Sequence, residues 1–261
     1  MISKKNILSI LKNLVFLVII LIIFFSSLIN IYESRNKLIS KFSALFLENI
    51  TKNENDDSSK DKIWSEKILK GGYILFLRHA ERDKKKDVSM YDNLDVKINN
   101  SNDIINSNQI YSGATCLNKQ GVIQAKIFGK YIKDLKLPIA KVISSPSCRA
   151  RQTAELIYDS NVEINKLLIY KGLYQATETE KKRIKNLKNF LLNLVVPKNS
   201  NILLSSHNNV INSKIFDNID NSQDLKTGEG GFYVISILEN RLILEHNFTT
   251  FPKFLKNFYI R

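Results

Sequence analysis

Two histidines in this chain lie two or three residues beyond short apolar runs, and an arginine precedes the first of them. Residues 74–77 read Ile-Leu-Phe-Leu and lead into Arg78 and His79, while residues 202–204 read Ile-Leu-Leu and lead through two serines to His207. Such runs predict buried β-strands, and ligand chemistry in open α/β sheets lies beyond the carboxyl ends of the strands. An imidazole beside a fixed guanidinium charge suits nucleophilic attack on a phosphoryl group. A solvated strand end is the alternative interpretation.

A second arginine lies in a strand–turn–helix pattern at residues 142–154, where a proline and two serines suit the turn and the helix cap. The helix is expected to begin near Cys148. Arg149 then lies in the first turn, where free backbone N–H groups and the helix dipole attract anions. Arg151 points about 200° away from it at 3.6 residues per turn, so we expect Arg151 on the surface. The third histidine, His246, lies in an alternating strand pattern and is interpreted as structural or exposed.

These segments resemble, in order along the chain, the motifs of the histidine phosphatase superfamily, which has the phosphoglycerate-mutase-like fold. Residues 78–80 match the nucleophile motif, residues 144–154 match the second arginine motif and residues 206–207 match the second histidine. Residues 117–125 match the helix start that follows the nucleophile loop. The resemblance covers about residues 71–247 and is nearest to the short phosphatase branch.

The resemblance implies a role for each matched residue. His79 is expected to be the nucleophile and to form a phosphohistidine intermediate, so it must keep one ring nitrogen free. Arg78, Arg149 and His207 are expected to line the phosphate pocket, with His207 protonated as a donor. This agrees with the chemistry, because phosphoryl transfer depends on positioning and fixed positive charge. No metal or other cofactor is expected, and chelators are expected to leave activity intact.

The proton donor for the leaving group is the open question, since leaving-group expulsion needs a nearby acid. Mutase-like members carry a glutamate after the second arginine motif, whereas residues 165–174 contain no carboxylate, which argues against mutase activity. Glu81 and Asp83 follow the nucleophile closely, and Glu81 is the candidate catalytic carboxylate. The alternative for Glu81 is a loop contact or a salt bridge to Arg82.

Two classes of function remain. The first is a phosphohydrolase acting on a phosphorylated small molecule or a phosphoprotein. The second is a non-catalytic phospho-ligand-binding or adaptor module on the same fold. A nucleic-acid partner is not expected: the net charge of +14 is spread along the chain, and no nucleic-acid-binding motif is present.

The amino-terminal segment predicts a membrane anchor. Residues 14–25 contain no polar side chain, and the apolar character continues to Tyr32, which approaches the roughly 17–20 residues of a membrane helix. Lys4, Lys5 and Lys12 precede this stretch, which predicts a cytoplasmic amino terminus and an extracytoplasmic domain. A cleaved signal peptide is the rival interpretation, although no small-residue cleavage site follows the apolar run.

The remaining organisation has three parts. Residues 1–32 are the predicted signal-anchor, residues 33–67 a tether and residues 68–261 the catalytic domain. Residues 83–115 form a long polar insertion after the nucleophile, either a lid that shapes substrate choice or a floppy segment. Cys116 and Cys148 each adjoin a site motif, and either a disulfide that braces the phosphate pocket or two unpaired thiols would be consistent with the sequence.

The expected fold class is α/β: a three-layer α/β/α domain with a mostly parallel central sheet, preceded by the membrane helix. Alternating strands and helices imply right-handed crossovers with helices on both faces of the sheet. A hairpin about Glu239 and Asn240 is expected at the edge of the sheet. Core strands are predicted at residues 73–77, 141–144 and 201–205, and helices at residues 119–133, 148–158 and 178–194.

Overall fold

The computed structural model describes residues 25–27, 29–30, 32–34, 58–84, 115–158, 161–170 and 179–259. The chain divides into two compact units, Met1–Glu54 and Asn55–Arg261. In the first unit the described residues are helical. No helix within the described part of the chain has both the length and the apolar character needed to cross a membrane. Residues 14–24 of the predicted anchor and residues 85–114 of the predicted lid lie outside the described residues.

The described part of the second unit consists of alternating helices and strands, as predicted. The strands are β1 Ile74–Arg78, β2 Ile139–Ser144, β3 Glu163–Ile164, β4 Asn201–Ser206, β5 Phe232–Leu238 and β6 Arg241–Phe248. The helices are α1 Ser58–Lys70, α2 Lys119–Asp134, α3 Cys148–Ile157, α4 Glu180–Leu192 and α5 Phe251–Tyr259, with short 3-10 turns at Lys166–Leu168 and Ser213–Ile215. The three predicted core strands and three predicted helices are confirmed, with ends that differ by one or two residues.

The strands form one mixed sheet in the order β3-β2-β4-β1-β5-β6. The first four are mutually parallel, whereas β5 runs antiparallel to β1 and β6 antiparallel to β5. The carboxyl ends of β2, β4 and β1 therefore lie side by side at one edge of the sheet. These are the ends at which the sequence places its two strand-terminal histidines and the second arginine motif.

The β5–β6 hairpin is confirmed at the position expected for it. Its two turn residues, Glu239 and Asn240, have φ values of 47° and 58°. Positive φ at both central positions is the type I′ geometry, whose twist matches that of the flanking strands. The hairpin adds the two antiparallel strands to the edge of an otherwise parallel sheet.

Helices cover both faces of the sheet. Ile74 and Phe76 of β1 belong to a buried cluster that includes Leu187 and Leu191 of α4. On the other face, Phe128 of α2 lies against Phe232, Phe251 and Phe254, with ring centroids 6.2, 3.8 and 6.1 Å away. This split follows the strand period, because successive side chains point to opposite faces.

Helix α1 begins within the segment 33–67 that was predicted to be a tether and extends three residues into the predicted catalytic domain. Its buried residues Asp61, Ser65 and Ile68 have helical spacing and form one face. The Ser65 hydroxyl donates to the Phe254 carbonyl at 3.4 Å, and His246 Nε2 lies 2.8 Å from an Asp61 oxygen. Hydrophobic periodicity missed this helix because two of its three buried residues are polar. His246 is thereby structural, one of the two alternatives expected.

Candidate active site

The candidate site lies at the carboxyl ends of β1, β4 and β2. Strand β1 ends at Arg78 and is followed by His79, whose N–H donates to the Ser206 carbonyl at 3.0 Å. Strand β4 ends at Ser206 and is followed by His207, while Ser145 follows β2 and donates its N–H to the Ser205 carbonyl at 2.8 Å. Backbone pairing therefore carries the parallel register one step past the strand ends, and it brings the two histidines together. Their ring centroids are 5.2 Å apart.

Arg149 reaches the same place from helix α3. It is the second residue of the helix, and its side chain is almost completely buried. Its Nε donates to His79 Nε2 at 3.2 Å. The structure thus brings Arg149 and His207, which come from two distant segments of the chain, to the imidazole of His79.

The ring of His79 is held in one orientation and one tautomer. Its Nδ1 lies 2.7 Å from the Ala80 carbonyl oxygen, which can only accept, so the proton resides on Nδ1. Ala80 is itself held, because its N–H donates to the Thr153 hydroxyl, which in turn donates to the Arg149 carbonyl. Nε2 therefore keeps its lone pair and faces the arginine. A neutral imidazole with an unprotonated Nε2 is the nucleophilic form.

Electrostatics favour the same state. Burial lowers the pKa of His79 well below its ordinary value, and the nearby charges of Arg149 and Arg78 lower it further. An imidazolium would be both desolvated and repelled. His79 is consequently neutral across the physiological pH range.

His207 faces the site with one nitrogen unpartnered. Its Nε2 lies 3.0 Å from the Ser145 hydroxyl, whereas its buried Nδ1 has no hydrogen-bond partner. Burial and the charge of Arg149 lower the pKa of His207 well below its ordinary value, so the site without ligand favours the neutral ring over the protonated donor that we expected. The Ser145 hydroxyl donates to the Ser147 hydroxyl at 3.2 Å, so the neutral ring donates from Nε2 to Ser145, and its Nδ1 holds a lone pair until the ring is protonated. Tyr170 lies against the ring edge-on, with centroids 6.1 Å apart.

Arg78 leaves one edge of its guanidinium group open. Its Nη1 donates to the Thr227 carbonyl at 2.8 Å, and its Nη2 lies 3.7 Å from a Glu229 carboxylate oxygen. Its buried Nε has no hydrogen-bond partner. Nε and Nη2 form the guanidinium edge that binds an oxyanion through two parallel hydrogen bonds.

Glu229 is a residue that the sequence reasoning did not select. It lies in the turn before β5, where the Gly230 N–H donates to the carbonyls of both Arg78 and His79, at 3.2 and 3.0 Å. The available signal was an acidic residue among three glycines just before a strand, which a flexible turn also explains. Only the sheet order places this turn beside the end of β1.

Glu81, the predicted catalytic carboxylate, makes a loop contact. Its Oε1 accepts from Asn118 Nδ2 at 3.0 Å and lies 3.7 Å from Lys84 Nζ. Asn118 is also the N-cap of α2, where its side-chain oxygen accepts from the Gly121 N–H at 2.8 Å. The observed contacts of Glu81 therefore connect the nucleophile loop to the start of α2, which is the alternative already expected for it.

The disulfide between Cys116 and Cys148 is confirmed, with the two Cα atoms 5.0 Å apart. Cys148 is the first residue of α3 and precedes Arg149. One residue beyond Cys116, the Leu117 N–H donates to Gln152 of α3 at 2.9 Å. The bridge ties the end of the long insertion to the helix turn that carries the second arginine.

The expectation that Arg151 lies on the surface is wrong, since only 2% of the residue is exposed. Helix α3 contacts α2 as well as β2 and β4, so it is covered by another helix in addition to the sheet. Burial raises the pKa of Glu155, one turn further along, and the charge of Arg151 opposes that shift. The geometric argument from Arg149 assumed a one-sided helix, which α3 is not.

Together, these groups can bind and attack a tetrahedral oxyanion. Two guanidinium groups supply donors, Nδ1 of His207 joins them when its ring is protonated, and Nε2 of His79 supplies a lone pair. No group of three His, Cys, Asp or Glu side chains with the arrangement of a metal site occurs within the part of the chain that the structure describes.

Comparison with known proteins identifies the same region. A sequence model of the histidine phosphatase superfamily (branch 1) matches residues 74–169, which include Arg78, His79 and Arg149. No curated protein sequence gives a significant match.

Several solved structures are similar to this chain at low identity. A mycobacterial glucosyl-3-phosphoglycerate phosphatase in complex with VO3 is 16% identical, with a TM-score of 0.48, and the match covers 68% of this chain and 98% of that one. A phosphoserine phosphatase from Entamoeba histolytica in complex with 3-phosphoglyceric acid is 18% identical, with a TM-score of 0.46 and coverages of 68% and 97%. The protein histidine phosphatase SixA complexed with tungstate is 14% identical, with a TM-score of 0.45 and coverages of 67% and 96%. Because all three TM-scores are below 0.5, the substrates of these proteins are not assigned to this chain.

Proposed function

We propose that this chain is a phosphohydrolase of the histidine phosphatase superfamily that works through a phosphohistidine on His79, and the match of residues 74–169 to the model of that family supports the proposal. The observation that carries the proposal is the state of the His79 ring. Its Nδ1 is held on the Ala80 carbonyl at 2.7 Å, and its Nε2 lies 3.2 Å from Arg149 Nε. A fixed tautomer with a lone pair aimed at a cationic pocket is what nucleophilic attack on phosphorus requires.

The first half-reaction proceeds in line. The phosphoryl oxygens lie among Arg78, Arg149 and His207, and Nε2 of His79 attacks phosphorus from the side opposite the leaving group. The P–N bond forms as the bond to the leaving group breaks, and its electron pair departs with the leaving atom. The arginines stabilise the charge that spreads over the equatorial oxygens in the transition state.

The second half-reaction returns the enzyme to its starting state. Water attacks the phosphohistidine, the P–N bond breaks and its electron pair returns to Nε2. Because burial keeps the His79 ring neutral, Nε2 is again nucleophilic after phosphate leaves. The substrate is a phosphoric monoester or a phosphoramidate, carried by a small molecule or by a protein.

The test is turnover of p-nitrophenyl phosphate by the full-length protein and by His79→Ala. We expect His79→Ala to lose at least about 1,000-fold in kcat, because no other group replaces the nucleophile. The matched control is His246→Gln, which changes the histidine that contacts Asp61 outside the site and is expected to retain turnover. Denaturing quench with 32P-labelled substrate should trap an acid-labile, alkali-stable label on the wild type only.

The results also separate the two classes of function. Turnover that survives His79→Ala would overturn the mechanism. Binding of vanadate without turnover of any phosphorylated substrate would indicate the alternative, a phosphate-binding or adaptor module in which the same pocket holds a ligand.

We further propose that residues 14–32 anchor the chain in a membrane and that the domain lies outside the cytoplasm. The unbroken apolar run and the three preceding lysines support an anchor of that orientation. The Cys116–Cys148 disulfide supports an oxidising compartment, because disulfides are rare in reducing cytosol.

A further inference from the structure

Phosphate ester cleavage leaves an alkoxide or phenoxide that must gain a proton, and the residue selected from the sequence for this role has other contacts. The carboxylate of Glu81 accepts from Asn118 and faces Lys84. Glu229, in contrast, makes an ion pair with Arg78, a residue of the candidate phosphate pocket. Among the described carboxylates, Glu229 is the one paired with a pocket side chain.

The position of Glu229 on the arginine is informative. Its oxygen faces Nη2 of Arg78, and Nη2 belongs with Nε to the edge left open for an oxyanion. Nη1, on the far side, is already engaged by the Thr227 carbonyl. A phosphoryl group bound to the open edge therefore has an equatorial oxygen next to the Glu229 carboxyl group, and the leaving oxygen is bonded to the same phosphorus atom.

The contact leaves Glu229 without a direct hydrogen bond to Arg78. At 3.7 Å it is an ion pair and not a hydrogen bond. The side chain is 15% exposed, so its carboxyl group is in contact with water. Tyr233 is the rival donor near Arg78, but only 2% of it is exposed and burial raises the pKa of its hydroxyl.

We propose that Glu229 is the proton donor to the leaving-group oxygen. The inference rests on the phosphohydrolase function proposed above and assigns a further catalytic residue to the same site. When a phosphate dianion takes the guanidinium group of Arg78, the Glu229 carboxylate loses its partner charge and lies beside a like charge, so it takes up a proton from water and can then pass it to the leaving oxygen.

The proton and electron balance is complete without another reactant. In the first step the bond from phosphorus to the leaving oxygen breaks, that oxygen keeps the electron pair and takes the proton from Glu229, and the bond to His79 Nε2 forms. In the second step the Glu229 carboxylate accepts a proton from the attacking water as its oxygen bonds to phosphorus. The electron pair of the P–N bond returns to Nε2, and Glu229 is protonated again.

The experiment measures kcat/KM of the full-length protein with three substrates whose leaving groups differ in how much they need a proton in order to depart. Glycerol 2-phosphate has a poor leaving group, p-nitrophenyl phosphate has a good one, and phosphoramidate leaves with its nitrogen already protonated. For Glu229→Gln we expect a loss of about 100- to 1,000-fold with glycerol 2-phosphate and less than about threefold with the other two. Glu239→Gln, an exposed glutamate in the β5–β6 turn, is the matched control and should keep all three rates.

The ratio of two substrates within one preparation does not depend on the fraction of folded protein, so poor folding of the variant cannot imitate the result. An equal loss with all three substrates would make Glu229 a positioning residue for Arg78 and would overturn the proposal. A selective loss in Glu81→Gln, with none in Glu229→Gln, would assign the proton to Glu81 instead. If wild-type turnover depends on His79 while Glu229→Gln is unselective, only this inference fails and the phosphohydrolase function stands.

Discussion

At the scale of single residues, the site keeps two buried imidazoles neutral beside two arginines. This arrangement destabilises any state in which either ring is charged, because a buried imidazolium would lose its hydration and face Arg149. The benefit is that His79 remains nucleophilic. Folding stability therefore depends on pH through the same two residues that are proposed to contact the phosphoryl group.

The direction of this dependence follows from proton counting. In the unfolded chain each imidazole takes up a proton as the pH falls through about 6.5. The folded protein holds both pKa values well below that, so below about pH 6.5 the unfolded state binds more protons. We predict that the free energy of unfolding falls with falling pH, by up to about 1.4 kcal/mol per pH unit for each histidine.

Urea denaturation at about pH 7.5 and about pH 5.5 tests this, with His207→Gln as the comparison. The wild type should lose more stability than the variant between the two values, because the variant lacks one buried titrating ring. Equal losses in the two proteins would show that His207 is charged in the folded state, contrary to the pKa shift described here.

At the scale of elements, the first turn of α3 is held from several directions. Its first residue is bonded to Cys116, Leu117 donates to Gln152, and the Thr153 hydroxyl links the Arg149 carbonyl to Ala80. These contacts join α3 to the nucleophile loop, so Arg149 and His79 are positioned relative to each other by short connections. The disulfide is the strongest of them because it is covalent.

We predict that Cys116→Ser/Cys148→Ser lowers the free energy of unfolding by about 3–4 kcal/mol, the loop-entropy value for a closed loop of this length. The sequence separation of the two cysteines is 32. Urea denaturation with and without dithiothreitol measures it: the reductant should destabilise the wild type to the level of the variant and leave the variant unchanged. A variant as stable as the oxidised wild type would mean that the bridge adds no net stability.

At the scale of the whole molecule, the parallel arrangement of β2, β4 and β1 decides where chemistry occurs. One site segment follows the carboxyl end of each of these strands. Because β5 is paired antiparallel to β1, the Glu229 turn before β5 lies beside the same strand ends. The opposite edge, at the amino ends of these strands, receives none of the site residues. All the described site residues therefore belong to the second unit.

The proposed anchoring is also a property of the whole chain. We predict that the full-length protein sediments with membranes, resists extraction by alkaline carbonate, and becomes soluble when residues 1–32 are deleted. In spheroplasts, whose outer envelope has been removed and whose inner membrane is intact, added protease should digest the domain. If the domain is protected until the membrane is permeabilised, the proposed orientation is wrong. If carbonate extracts the protein, residues 14–32 do not anchor it in the membrane.

The order of elements and the four pocket residues could be predicted from the sequence, because local patterns carried them. Apolar runs that end in histidine, a turn that leads into an arginine-bearing helix and a two-residue hairpin turn each need only a few neighbouring residues to be recognised. Burial of Arg151 and of α1 was not predicted, since burial depends on what packs against a helix from elsewhere in the chain. Hydrophobic periodicity also has no signal for a helix face made of Asp61 and Ser65.

The sequence by itself determined which residues can do chemistry: an imidazole to attack, arginines to hold an anion, cysteines able to pair. The tertiary structure alone decided which of them meet and in what state. Glu81 is two residues from the nucleophile in the chain, yet its carboxylate contacts Asn118 and Lys84, whereas Glu229 is far away in the chain and contacts Arg78. The physical reason is that side-chain contacts are set by strand order and register, which are long-range properties of the sheet.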